Sequence, residues 1–373
     1  MIIGVDIRPL MEKEPSGVSQ YLFNLLDNLF KIDRVNQYKL FYNSFRPVSL
    51  PAWQYPNVRF YGFRWPNKLL NFSFRFFSRP WVDRLLGGVD VFWLPNLSFI
   101  ALSPEVKKVA TVHDLSFELY PEFLSGWREL WHWVINPRRF FRQADKLIAV
   151  SEATRRDLAA VYGTPGGRVE LVYSGVRQLE SQRVRELESQ GGLPEKFILT
   201  LGTREPRKNL IGVIKAWEKV KLESGDEGLG LVIAGGGGWL NDEANRLIAR
   251  SQFKKEIKIL GFVSEAVKLE LYSRAEMFIY PSFYEGFGLP PLEAMSAGCP
   301  VIASLSSAVS EICGGAAVLV NPYQIGEMVE AMKSVRSPES GVRSRLIKAG
   351  LERVKELGWE RAATETLKVL KEI

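Results

Sequence analysis

Residues 280–300 read Y-P-S-F-Y-E-G-F-G-L-P-P-L-E-A-M-S-A-G-C-P. The run before them, Met277-Phe278-Ile279-Tyr280, is short and apolar, as a buried strand is. Pro290 and Pro291 stand just before Leu292-Glu293-Ala294-Met295, a helix-forming run ended by Ala297-Gly298. The spacing predicts a strand, a glycine-rich loop and a helix. Gly286 and Gly288 let the backbone approach a ligand closely, and a helix N-terminus offers free N–H groups and a positive dipole end to an anion. Glu285 then sits on the loop and Glu293 on the first helical turn. Carboxylates accept from paired hydroxyls, so the stretch suits a ligand that carries both phosphate and sugar hydroxyls, as a nucleotide sugar does. Loops of this composition are also common at strand ends, and a first-turn carboxylate stabilises the dipole without any ligand. The spacing alone leaves both readings open.

The 373-residue chain has the length of about two domains, and its 46% hydrophobic content is enough for two cores. Strand and helix signals alternate in the first half: strands near 1–7, 39–42, 58–61, 89–94 and 109–112, and a helical pattern over 21–30. Residues 177–194 are polar and charged, closed by Gly191-Gly192 and Pro194, and mark a boundary. The expected division is 1–176, a linker over 177–194, a second domain over 195–357, and a terminal helix over 358–373 with Ala362, Ala363, Thr366, Leu367 and Leu370 at helical spacing.

Three further places hold candidate site residues. Strand 197–201 runs into Gly202-Thr203-Arg204-Glu205-Pro206-Arg207-Lys208-Asn209, which opens a helix. A cationic loop at a strand's carboxyl end suits a diphosphate, Lys208 supplying a point charge and Arg204 or Arg207 a fork of donors. Exposed cations are commonly just solvated, so this loop is weak evidence by itself. His113 directly follows the β-rich run 109–112, where an open α/β sheet binds its ligands. The other histidine, His132, lies between two tryptophans and reads as helix packing. Gly17, at the mouth of the first helix, reads equally as an anion-facing turn or as a simple turn. Gly235 to Gly238 follow a buried strand but lack the spacing of a dinucleotide fingerprint.

The formal charge of +7 is unevenly placed. Residues 1–177 hold 23 basic against 16 acidic side chains, and residues 178–373 hold 26 of each. No acidic residue stands between Asp33 and Asp83, where basic residues alternate with aromatics from Trp53 to Trp81. Such a segment suits an anionic bilayer surface, a nucleic acid, or an ordinary core with a basic rim. No run approaches the roughly 18 apolar residues of a membrane span, and no signal peptide is visible. Cys299 and Cys313 have no metal or redox spacing and read as structural, which fits a reducing cytoplasm.

The run from Pro281 to Ser304, with T-V-H-D-L-S-F at 111–117, A-D-K-L-I-A-V-S-E-A-T-R-R-D-L at 144–158 and P-R-K-N at 206–209, resembles the E-x7-E family of retaining GT-B glycosyltransferases (family 4 type). That family includes bacterial mannosyltransferases and glycogen and sucrose synthases. The resemblance covers nearly the whole chain and is weakest over 45–85. It implies an α/β architecture: two Rossmann-like domains facing each other across a cleft, the terminal helix crossing back to the first.

The resemblance also implies the roles. Lys208, with Arg204 or Arg207 and the neighbouring Thr203, would hold the diphosphate, and Glu293 the ribose. Phe262 and Val263 would lie at the base; Glu285, with the amides around Gly286, Phe287, Gly288 and Leu289, would hold the transferred sugar. His113 would contact that sugar, and Gly17 would lie beside the donor. His113, Glu285 and Lys208 are the expected catalytic residues. The chain has no Asp-x-Asp run, and no metal or cofactor is expected besides the nucleotide-sugar co-substrate.

The resulting expectation is a retaining, metal-independent transferase that moves mannose from GDP-mannose to a lipid-linked, lipopolysaccharide or polysaccharide acceptor. It would work at the cytoplasmic face of the plasma membrane, touching anionic lipid through residues 34–82 and binding no nucleic acid. The alternatives are a UDP-sugar transferase or epimerase of the same fold, and a catalytically silent nucleotide-sugar-binding partner.

Overall fold

The computed structural model describes residues 1–12, 16–177, 192–239 and 242–373. The expected linker lies almost entirely outside them, as do residues 13–15 of the loop ahead of the first helix. The chain forms two compact units. One comprises Met1–Leu119, Gly126–Gly175 and Gly358–Ile373, and the other Tyr120–Ser125 and Val176–Leu357.

The first unit holds a parallel sheet of β1 (Ile2–Asp6), β2 (Gln37–Asn43), β3 (Val58–Phe63), β4 (Val91–Leu94), β5 (Lys107–Val112), β6 (Lys146–Ala149) and β7 (Val169–Leu171). Their order is β3-β2-β1-β4-β5-β6-β7. The central strands are continuous apolar runs because a parallel sheet is covered on both faces. The order reverses between β1 and β4, so the carboxyl ends of these two strands open a crevice.

The second sheet repeats the plan with β8 (Lys196–Leu201), β9 (Leu229–Ala234), β10 (Ile257–Leu260), β11 (Met277–Tyr280), β12 (Val301–Ser304) and β13 (Ala317–Val320). Its order is β10-β9-β8-β11-β12-β13, reversing between β8 and β11. Trp217 and Met332 from its helices pack with Ile198, Leu231 and Ile279 from its strands. The same sequence pattern thus yields two doubly wound sheets.

The helix after β11 spans Leu289–Ser296, three residues earlier than the sequence predicts. Both prolines lie inside its first turn, where the missing N–H would have had no helical partner. Gly288 caps it at φ +97°, a backbone conformation that favours glycine. The terminal helix Trp359–Lys371 belongs to the first unit, where Trp359 meets Tyr21 of the helix Gly17–Ile32 at 5.8 Å between ring centroids.

The basic aromatic stretch divides in two. Trp53 stacks on Phe23 at 5.5 Å and Phe60 at 6.3 Å, its edge against Phe30, and donates from Nε1 to Asp27. Leu69, Phe72 and Phe76 of the helix Asn67–Phe76, with Phe77 after it, point outward. Cys299 and Cys313 are free and buried, and burial pushes both thiols up to about 12, so neither is a reactive thiolate.

Candidate active site

In the second unit the loops after β8 and β11 lie side by side because those strands are neighbours. Backbone and side chains join them: Phe283 N–H donates to Arg207 O at 2.9 Å, and Asn209 Nδ2 to Pro281 O at 3.2 Å. At the centre is the buried carboxylate of Glu285. Lys208 Nζ donates to its Oε1 at 2.6 Å, the Tyr280 hydroxyl to the same oxygen at 2.9 Å, and Arg207 Nη1 to Oε2 at 2.8 Å. Arg207 also forks onto Glu205 through Nε at 3.0 Å and Nη2 at 2.6 Å. Lys208 Nζ donates to the Tyr280 hydroxyl at 2.6 Å as well. Ser307 fixes the loop by accepting from Glu285 N–H at 2.8 Å.

Burial alone would push the Glu285 carboxyl up, but the charges of Arg207 and then Lys208 outweigh it and hold the group down at about 2. Tyr280 moves the other way, well above the usual tyrosine range, through burial and then the charge of Glu285. The cluster therefore holds an ionised carboxylate between two cations, beside a neutral phenol.

Arg204 precedes this cluster, its Nε buried without a hydrogen-bond partner among the described residues, while Thr203 is exposed. Gly235 at φ +130° makes room for the loop, since a Cβ there would lie 2.1 Å from Gly202 O. Phe262 and Val263 follow β10, at the carboxyl edge of the same sheet, with Phe262 about half exposed.

Glu293 occupies a second, separate pair. It accepts from Lys268 Nζ at 2.7 Å and from the Tyr272 hydroxyl at 3.1 Å. Burial would lower the Lys268 pKa, yet Glu293 and Glu265 together raise it, so the ammonium stays charged.

In the first unit His113 stands at the carboxyl end of β5. Its Nε2 lies 2.8 Å from Pro95 O. A carbonyl only accepts, so this nitrogen carries the proton and Nδ1 carries the lone pair. Burial lowers the pKa of His113 more than the Pro95 carbonyl and Asp114 raise it, which keeps the ring neutral. Tyr21 packs its ring edge-on against His113 at 4.8 Å. Gly17 is one turn before Tyr21 on the same helix, with no atom of the described residues where a side chain would stand.

Two family models cover this chain in succession: one described as Glycosyltransferase Family 4 matches residues 15–178, and one described as Glycosyl transferases group 1 matches residues 185–353. The chain belongs to this glycosyltransferase family. The O-antigen chain mannosyltransferase B of Escherichia coli is 28% identical over 270 residues, 71% of this chain and 70% of that protein. The serotype-specific mannosyltransferase WbdA of Escherichia coli is 27% identical over 245 residues, which is 63% of this chain but 30% of WbdA. Among solved structures, sucrose-phosphate synthase of Thermosynechococcus elongatus superposes with a TM-score of 0.76 at 18% identity, covering 100% of this chain and 98% of that one. This last likeness shows the GT-B fold.

Sequence reasoning missed several residues that shape the glycosyltransferase's candidate site. Glu205 and Tyr280 complete the cluster, and Lys268 and Tyr272 hold Glu293. At the crevice between β1 and β4, Asp6 takes a two-point pair from Arg8 Nε at 2.8 Å and Nη2 at 2.6 Å, and accepts from Ser98 Oγ at 3.0 Å. The available signals were Glu205 inside the E-P-R-K-N run and a carboxylate closing an apolar strand at Asp6.

Proposed function

We propose that this glycosyltransferase moves mannose from GDP-mannose, with retention of configuration and without a metal, to a lipid-linked or polysaccharide acceptor. The observation that carries the donor site is the pairing of Glu285 with Lys208 and Arg207 where the second sheet reverses its strand order. The mannosyltransferase names of its relatives favour the sugar.

In this reading Lys208, with Arg207 or Arg204, takes the diphosphate, and the buried Nε of Arg204 is a donor available to it. As phosphate oxygens replace Glu285 on the cations, its carboxylate turns to the sugar hydroxyls. Positioned cations then stabilise the leaving diphosphate while the sugar becomes oxocarbenium-like. Glu293 holds the ribose, Phe262 and Val263 flank the base, and the backbone from Gly286 to Leu289 faces the sugar. The neutral His113 reaches that sugar with Gly17 beside it. The nucleotide sugar is the co-substrate, and no further cofactor is required.

The test is release of nucleoside diphosphate from GDP-, UDP- and ADP-sugars with EDTA present and Glu285→Ala alongside. Turnover of GDP-mannose that is indifferent to EDTA and lost in the variant supports the reading. Turnover of a UDP-sugar instead transfers it to the other donor, and binding without turnover in the presence of acceptor glycans makes the chain a silent partner.

A further inference from the structure

The first unit carries a second chemical feature, away from any strand end. The helix Asn67–Phe76 buries Leu70 and Phe74 and turns Leu69, Phe72 and Phe76 outward at positions i, i+3 and i+7, a single stripe. Phe72 and Phe76 touch each other at 4.6 Å, so the stripe is continuous. The helix Gly126–Ile135 also turns large apolar side chains outward, over a broader face: Trp127 is 83% exposed and Trp133 78%, with Leu130 and Trp131 exposed between them. On its packed side Ile135 is buried and His132 stacks on Phe117 at 4.3 Å.

The two helices are neighbours. Arg75 Nε of the first donates to Val134 O of the second at 2.7 Å. Immediately after the tryptophans, Asn136 turns the chain into a short helix, Pro137–Gln143, on which Arg138, Arg139 and Arg142 line an open depression of about 360 Å³ with Asn136 and Gln143. Residues 67–79 and 126–143 together hold seven basic residues and a single acidic one, Glu129. Outward aromatics beside a predominantly cationic surface form an unfavourable face towards water and a favourable one at a headgroup boundary, where indole rings sit at the interface and arginines meet lipid phosphates.

We propose that the first unit docks on an anionic phospholipid bilayer through the outward faces of the helices Asn67–Phe76 and Gly126–Ile135, with Arg138, Arg139 and Arg142 supplying the contact to lipid phosphate. The surface differs from the whole stretch 34–82: Trp53 and Phe60 are packed, and the contact includes tryptophans that lie far along the chain. It deepens the proposed transfer to a lipid-linked acceptor, giving that acceptor's membrane a fixed place on the enzyme. No helix among the described residues is long and apolar enough to cross a membrane, so the contact is interfacial.

The experiment is flotation of the full chain with vesicles of phosphatidylcholine containing phosphatidylglycerol, against phosphatidylcholine alone, at low and high salt. Three proteins are compared: wild type, Trp127→Ser/Trp133→Ser, and Arg138→Gln/Arg139→Gln/Arg142→Gln. The wild type is expected to float with the anionic vesicles and to release in high salt, and each variant to partition roughly tenfold more weakly. Circular dichroism and vesicle-free donor turnover are expected to stay at wild-type levels in both, which separates failure of docking from failure of the transferase reading. Absence of anionic-vesicle binding by the folded wild type overturns the proposal. So does equal binding by all three proteins, or a salt-stable dimer that the tryptophan substitutions dissolve while vesicles capture nothing.

Discussion

Lys208 Nζ lies 2.6 Å from Glu285 Oε1, although the two residues are 77 positions apart in the chain. The contact exists because β8 and β11 are adjacent, which places the loops that leave them at one end of the sheet. A lysine held by a carboxylate is preset but not committed, since an arriving diphosphate offers more negative charge than one carboxylate. If Lys208 serves the diphosphate, Lys208→Ala removes a charge-assisted bond of about 1.5–3 kcal/mol and weakens binding of the bare nucleoside diphosphate at least tenfold. Nucleotide titration by calorimetry checks this, and unchanged affinity moves the diphosphate to Arg204 or Arg207.

Glu285 gives the structure a defined acid limit. Its folded pKa of about 2 lies below the ordinary 4.5. Its pairing therefore contributes stability that is fully present above the ordinary value and is lost as pH falls towards 2. Glu285→Gln is expected to be less stable than wild type at pH 7, with the gap narrowing steadily below about pH 4. Urea midpoints for both proteins across that range test the sign; a gap independent of pH would mean that the carboxylate's charge is not what holds the loop.

The two sheets were legible in the sequence because buried parallel strands leave continuous apolar runs, and the loops after β8 and β11 were legible because cations, glycines and carboxylates cluster there. The partners of those residues were hidden for a physical reason: strand order, not sequence distance, decides which loops meet. Lys268 has Glu265 and Glu270 close by in the chain and reads as a solvated cation, yet it is buried against Glu293. The aromatic stretch was ambiguous because Trp53 and Phe72 have the same composition around them. Only the packing of Trp53 against Phe23, Phe30 and Phe60 separates a core ring from an outward one.

His113 is held neutral by burial, below its ordinary 6.5. In the unfolded chain it takes up a proton near that value, so its burial costs stability as pH falls below about 6.5 and costs none above it. His113→Asn is expected to flatten the loss of stability between pH 7 and pH 5. If the neutral ring contacts the transferred sugar, the same variant lowers kcat more than it raises the donor KM. Thermal midpoints and donor kinetics over that pH interval separate the two effects.

Lys268 and Glu293 offer the sharpest division between holding the fold and holding the donor. The side chains are 6% and 13% exposed and pair at 2.7 Å, and removing Lys268 leaves Glu293 with the Tyr272 hydroxyl but no cation. Lys268→Met alone is expected to cost about 3–5 kcal/mol, because Glu293 keeps a nearly buried charge without its cation. The double variant Lys268→Met/Glu293→Leu removes both charges and is expected to recover most of that loss, as apolar replacements of buried pairs commonly do. If Glu293 also holds the ribose, the stabilised double variant still binds nucleoside diphosphate at least tenfold more weakly than wild type. Stability restored together with full nucleotide affinity would make the pair structural and move the ribose contact elsewhere on the carboxyl edge of the second sheet.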